Sequence, residues 1–174
     1  MQNKCFLLLP LVLAVGCSSG GIGNKESAQE AVDALQSVDS AISVGTNMVD
    51  YRQALVPART EVDQYLAKDS DSEFAQSLSR AMDGHQTAND WWQCEVAQPE
   101  NSLETRWDAQ YRCQDSVFPA LFALYPEIEE KVDAVVAGLQ SPPKYKSGSL
   151  DSDAILQYIW QQTSADTAKA IEAL

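Results

Sequence analysis

Apolar side chains recur along this chain every three or four residues, the spacing of helices that each turn one face to a core. Residues 25–44 place Ala31, Leu35, Val38 and Ile42 on one face. Residues 46–67 do the same with Met48, Tyr51, Leu55, Ala58, Val62 and Leu66. Gly45 separates the two stretches and Pro57 lies inside the second, so the pattern fits either one long helix kinked at those points or two helices. Asp69-Ser70-Asp71-Ser72-Glu73 then offers several N-caps. The next stripe is Phe74, Leu78, Ala81, His85, Ala88 and Trp92, and it should fade near Gln98 and Pro99.

A further helix is expected from Ser102, carrying Leu103, Trp107 and Tyr111. Pro119 and Pro126 interrupt the stretch beyond it, and each suits the first position of a new helical segment. Ile128, Val132, Val135 and Leu139 form a clean stripe, with Gly138 near its stop. Residues 141–149 read as a loop. Asp151 or Ser152 would cap a last helix bearing Ile155, Ile159, Thr163 and Ile171. No run alternates as a strand does, so the fold class expected is all-α: a single bundle of four to six amphipathic helices over residues 25–174.

The first residues obey a different rule. Lys4 precedes the apolar run Phe6-Leu7-Leu8-Leu9-Pro10-Leu11-Val12-Leu13, and small residues then lead to a cysteine. That is the layout of an export signal, too short to span a bilayer. Leu13-Ala14-Val15-Gly16-Cys17 resembles the lipobox of bacterial lipoproteins, with Ala14 where that family most often has leucine. The resemblance covers residues 1–18. It implies a signal peptide at 1–16, cleavage before Cys17 and diacylglyceryl on that thiol. Residues 17–24 would then be a lipidated flexible tether. It also implies a cell-envelope location with the membrane reached through lipid on Cys17. Ser18, where aspartate often retains such proteins in the inner membrane, points to the outer membrane facing the periplasm, with surface exposure left open.

Charge narrows the partners. The chain has 25 acidic and 12 basic side chains, a formal net charge of −13. Nucleic acid is therefore not an expected partner, since it requires a basic footprint. Cys5 falls in the signal and Cys17 in the lipobox, which leaves Cys94 and Cys113. In an oxidising compartment such a pair is most simply a disulfide, closing a loop slightly longer than one worth about 3 kcal/mol. A hairpin so bridged would balance near residues 103–104 rather than at Pro99. Either the connection is longer than it looks, or Cys94 lies beyond the regular helix.

Candidate chemistry is sparse. A zinc site lacks ligands, with one histidine and no Cys-x-x-Cys pair, and neither Cys-x-x-Cys-His nor Gly-x-Ser-x-Gly occurs. No metal, cofactor or catalytic residue is expected. His85 shares a face with Phe74, Leu78 and Trp92, as a core histidine does. Asp69, Asp71 and Glu73 alternate like a calcium loop, but Phe74 stands where such a loop needs glycine. Glu104, Asp108, Glu127, Glu129 and Glu130 are plentiful without being visibly paired. Trp91, Trp92, Trp107 and Tyr111 gather around the two cysteines. They would pack on a disulfide or, because Trp and Tyr are favoured at binding hot spots, form a recognition surface. Lys144, Tyr145 and Lys146 make a small basic island, either a solvated loop or a docking loop. The function expected is a membrane-tethered, non-catalytic binding or assembly module with an envelope protein partner. The alternative is a small-ligand binder with a pocket between helices.

Overall fold

A computed structural model describes residues 25–96, 103–141 and 143–174. The signal at 1–16, the tether at 17–24 with Cys17, the fading of the third helix near Gln98 and Pro99, and the start at Ser102 all lie outside the described residues. Among the described residues six α-helices succeed one another: α1 (Lys25–Ser43), α2 (Met48–Leu66), α3 (Glu73–Val96), α4 (Leu103–Leu124), α5 (Pro126–Ala137) and α6 (Ser152–Ala173). A 3₁₀ turn at Lys146–Ser149 precedes the last. The all-α bundle expected from the stripes is the fold that forms.

Residues 25–67 make two helices. Gly45 takes φ +86°, a left-handed conformation that glycine adopts without a steric cost. Asn47 then caps α2, its side-chain oxygen accepting from the amides of Val49 at 2.9 Å and Asp50 at 3.0 Å. Pro57 and Pro119 both sit inside helices, on exposed faces. There the carbonyl four residues back, which proline leaves without its usual donor, faces the solvent side. Pro119 therefore starts no new segment, whereas Pro126 does, at the first turn of α5. Ser72 Oγ accepts from Ala75 N at 3.0 Å, and Asp69 Oδ1 accepts from the amides of Asp71 and Ser72, so this acidic run caps α3. Asp151 does the same for α6, accepting from Ala154 N.

α1, α2, α3 and α6 form an antiparallel four-helix bundle, up-down-up-down. Tyr51 of α2 meets His85 of α3, and Tyr65 meets Phe74, so these two helices run in opposite directions. Trp91 bonds Ser152 and Arg80 pairs with Asp166, which sets α6 antiparallel to α3. Ser164 of α6 bonds Asp39 of α1. At Gly84 the seam between α3 and α6 is tight. An added Cβ would clash with Tyr125 Oη and lie 2.8 Å from Thr163 Oγ1.

α4, α5 and the 3₁₀ turn are an insertion between α3 and α6: α4 packs on the outside of α3, and α5 and the turn pack on α4. α5 buries Ile128 and Val132, but Val135 and Leu139 are exposed. The clean stripe read along this segment is thus only half used, because α5 is a short outer helix with one layer to cover.

The disulfide Cys94–Cys113 is present, with Cα atoms 5.5 Å apart. Both cysteines lie inside helices, which settles the register left open by the sequence. Cys94 stands two residues from the end of α3, while Cys113 stands ten residues into α4. At 1.5 Å per residue, the start of α4 runs roughly 12 Å past the end of α3.

Candidate functional site

The four aromatics read as one surface are divided by the fold. Trp91 is fully buried: its Nε1 donates to Ser152 Oγ at 2.9 Å, and its ring packs on Phe118 at 5.7 Å. A side chain with no exposed area cannot contact a partner, so Trp91 leaves the candidate surface. Trp92 turns inward as well, edge-on to Trp160 at 5.5 Å and tilted against Tyr51 at 5.9 Å. It is partly buried against the core. Adjacent tryptophans on a helix point about 100° apart, and here both directions meet neighbours: α4 on one side, α2 and α6 on the other.

Trp107 and Tyr111 are placed differently. They occupy the first turns of α4 beside and beyond the end of α3. Trp107 is 48 % exposed and stacks on Tyr111, with centroids 5.8 Å apart and planes at 22°. Tyr111 is backed by the loop before α6, since a Cβ at Gly148 would lie 3.1 Å from its ring. Ser147 Oγ donates to the Tyr111 carbonyl at 2.9 Å. Asp115 accepts from the amides of Lys146 and Ser147.

The basic island is tied down by the same contacts. Lys144 pairs with Asp108, Lys146 pairs with Asp133 at 2.7 Å, and Tyr145 Oη donates to Asp108 at 3.4 Å. These pairs hold the Asp108 carboxyl below its ordinary range and both lysines above theirs. The segment is a strap fastened to α4 and α5 rather than a loose loop.

Inside the bundle lies a polar cluster that the periodicity did not announce. His85 is fully buried, and Tyr51 Oη stands 3.1 Å from both its Nδ1 and its carbonyl oxygen. His85 Nε2 has no hydrogen-bond partner, and the nearest carboxylate oxygen is Asp39 Oδ1 at 3.7 Å. Burial pushes the imidazole down to about 3. Burial also raises Asp39, an effect opposed by the bond from Ser164. A neutral imidazole without solvent access has no route to a substrate, so this cluster belongs to the core. Tyr51 and His85 both sat on apolar stripes. Their meeting depended on the pairing of α2 with α3, which one helix at a time does not reveal.

Asp108 and Glu127 do not converge either. Asp108 is taken by Lys144, and Glu127 accepts from Tyr158 Oη at 2.6 Å on another face. The Glu104 side chain lies outside the described residues. Among the described residues no group of three or more His, Cys, Asp or Glu side chains is placed to hold a metal ion, and no helix is long and apolar enough to cross a membrane.

One end of the bundle gathers exposed apolar groups: Val44 at the end of α1, Val49 at the start of α2, Val96 at the end of α3 and Trp107 at the start of α4. Lys25, where the described chain begins, is at the opposite end. α1 has 19 residues, so the two ends are about 28 Å apart. Comparison with protein-family models, with curated proteins and with solved structures gives no match for this chain.

Proposed function

We propose that this chain is a lipid-anchored envelope protein, a non-catalytic binding or assembly module held at the membrane by Cys17. Its docking surface is the end of the bundle remote from Lys25. The observation that carries this reading is that Val44, Val49, Val96 and Trp107, all exposed, stand at helix ends on that side of the bundle. A tether at 17–24 entering α1 at Lys25 would present this end to the periplasm, away from the bilayer. The stacked Trp107–Tyr111 pair supplies the kind of rigid aromatic contact that dominates protein interfaces. The strap from Lys144 to Ser149 holds the pair in place beforehand, which lowers the ordering cost of docking.

The test is proximity crosslinking of the native lipidated protein in intact cells, read by mass spectrometry beside Cys17→Ala and Trp107→Ala variants. The native protein should capture a specific envelope partner that Cys17→Ala does not. Trp107→Ala, which removes an exposed side chain from a folded domain, should weaken capture at least about fivefold, the loss expected for a hot-spot contact. Capture that is indifferent to both changes, or no specific partner at all, overturns the reading.

A further inference from the structure

The bundle end remote from Lys25 also contains a hollow. It measures about 360 Å³ and opens between the end of α1, the last turns of α3 and the start of α6. That is within the usual size range of small-ligand sites. Ile42 and Leu156 line it with aliphatic surface, and Trp92 and Trp160 line it with indole. The two indoles stand 5.5 Å apart at 78°, and Tyr51 packs on both, at 5.9 Å from Trp92 and 5.8 Å from Trp160. These contacts hold the rings in place, so the hollow exists before anything enters it and its walls cost little to order on binding. Gly45 lies at its edge, next in sequence to Val44, which is 84 % exposed.

The charge around the hollow has one sign. Among the described residues Asp153 is the one charged side chain lining it, and Asp153 makes no ion pair. Glu95 and Asp151 stand close by. Burial pushes the Glu95 carboxyl up, the hydrogen bond with Ser152 opposes this, and the neighbouring charges of Asp153 and Asp151 add to the rise. Three carboxylates therefore share the junction of α3 with α6.

Indole rings attract cations and cover methylene groups, and an unpaired carboxylate attracts the same cation. A neutral apolar occupant would leave Asp153 without a partner, and an anion would be repelled. The complementary group is a cation on an apolar stem. Of the two basic side chains, arginine is the one that stacks on aromatic rings, forks onto carboxylates and is enriched at binding hot spots.

On the reading that this end of the bundle docks a partner, we propose that the hollow receives an arginine side chain of that protein. Trp92 and Trp160 cover the stem of the arginine, and Asp153 pairs with its guanidinium. The partner's surface is thus basic where it meets the start of α6 and apolar where it meets Val44.

The experiment has two arms, both on the full chain. In the first, the lipidated protein in detergent micelles is titrated with N-acetyl-arginine amide and followed by two-dimensional ¹H–¹⁵N NMR. N-acetyl-citrulline amide and n-butylammonium are run beside it. The arginine probe should give saturable shifts at the indole N–H signals of Trp92 and Trp160. The uncharged citrulline probe should bind about fivefold more weakly. Asp153→Asn should lose a similar factor, and Asp151 still caps α6 in that variant. Gln157→Lys places a cation of the chain's own one turn after Asp153, the favourable order for a helical ion pair, so it should fold and should exclude the probe.

The second arm is crosslinked capture in intact cells, which should fall at least about fivefold in Gln157→Lys. Capture that is lost in Trp107→Ala but unchanged in Gln157→Lys overturns the proposal and leaves the docking role of this end standing. No specific partner at all overturns the docking role and the proposal with it. In the titration, equal binding of the citrulline probe, n-butylammonium matching the arginine probe (an adventitious cation only), or shifts absent from both indoles also overturn the proposal.

Discussion

His85 shows how one buried residue makes the stability of the fold depend on pH. An imidazole that titrates near 6.5 in an unfolded chain titrates at about 3 here, because burial penalises its charged form. Between those two values the unfolded chain binds a proton that the folded chain does not. This contribution to stability is therefore complete above about pH 6.5 and is lost as pH falls toward 3. Its slope approaches about 1.4 kcal/mol per pH unit inside that window. Asp39, whose carboxyl is raised by burial, works in the opposite direction at acid pH. A His85→Gln variant isolates the imidazole. Thermal melts from pH 7 to pH 4 should fall more steeply for the native protein than for the variant, and parallel curves would remove His85 as the cause. The sequence placed His85 on a core face through its neighbours Phe74 and Leu78. It held no sign that Tyr51 and Asp39 would be the polar groups beside it.

At the scale of helices, periodicity did most of what it can do. Ala31, Leu35 and Val38, then Tyr51, Leu55, Ala58 and Val62, then Phe74, Leu78 and Ala81 are all buried as their spacing predicts. It failed where a helix has two neighbours or a thin one. In α6, Leu156 and Trp160 are buried beside the predicted Ile159, because this helix packs on α3 and α1 together. Ile171 on the predicted stripe is 40 % exposed. The same limit explains the aromatics, since hydrophobicity does not tell Trp91, enclosed by α3, α4 and α6, from Trp107, which stands beyond the end of α3. The disulfide acts at this scale as well. It joins α3 to the middle of α4, with a sequence separation of 19. Replacing Cys94 and Cys113 by serine should cost roughly 2–4 kcal/mol in chemical denaturation. Amide exchange should rise first across residues 106–112, before the four-helix core responds. Uniform loosening of all six helices would show that the bridge braces the bundle rather than the insertion.

The molecule as a whole is strongly acidic, and its ion pairs employ only part of that charge. The surplus of 25 carboxylates over 12 cations means that self-repulsion opposes compaction. Raising sodium chloride from about 10 to about 150 mM shortens the Debye length from roughly 30 to 8 Å and should raise the thermal midpoint by a few degrees. A falling midpoint would mean that paired groups such as Arg80 with Asp166 outweigh the repulsion. Topology was the least legible level. No pattern along the chain marks α4 and α5 as an insertion, because that depends on α6 returning to α3 across more than fifty residues. The division of the tryptophans has an optical consequence. Trp91 and Trp160 are enclosed and Trp92 largely so, while Trp107 alone of the four is substantially open to water. Three indoles should therefore emit at short wavelength and resist collisional quenchers. The fourth emits to the red and responds to them, so occupancy of that end of the bundle can be tracked by fluorescence in the unlabelled protein.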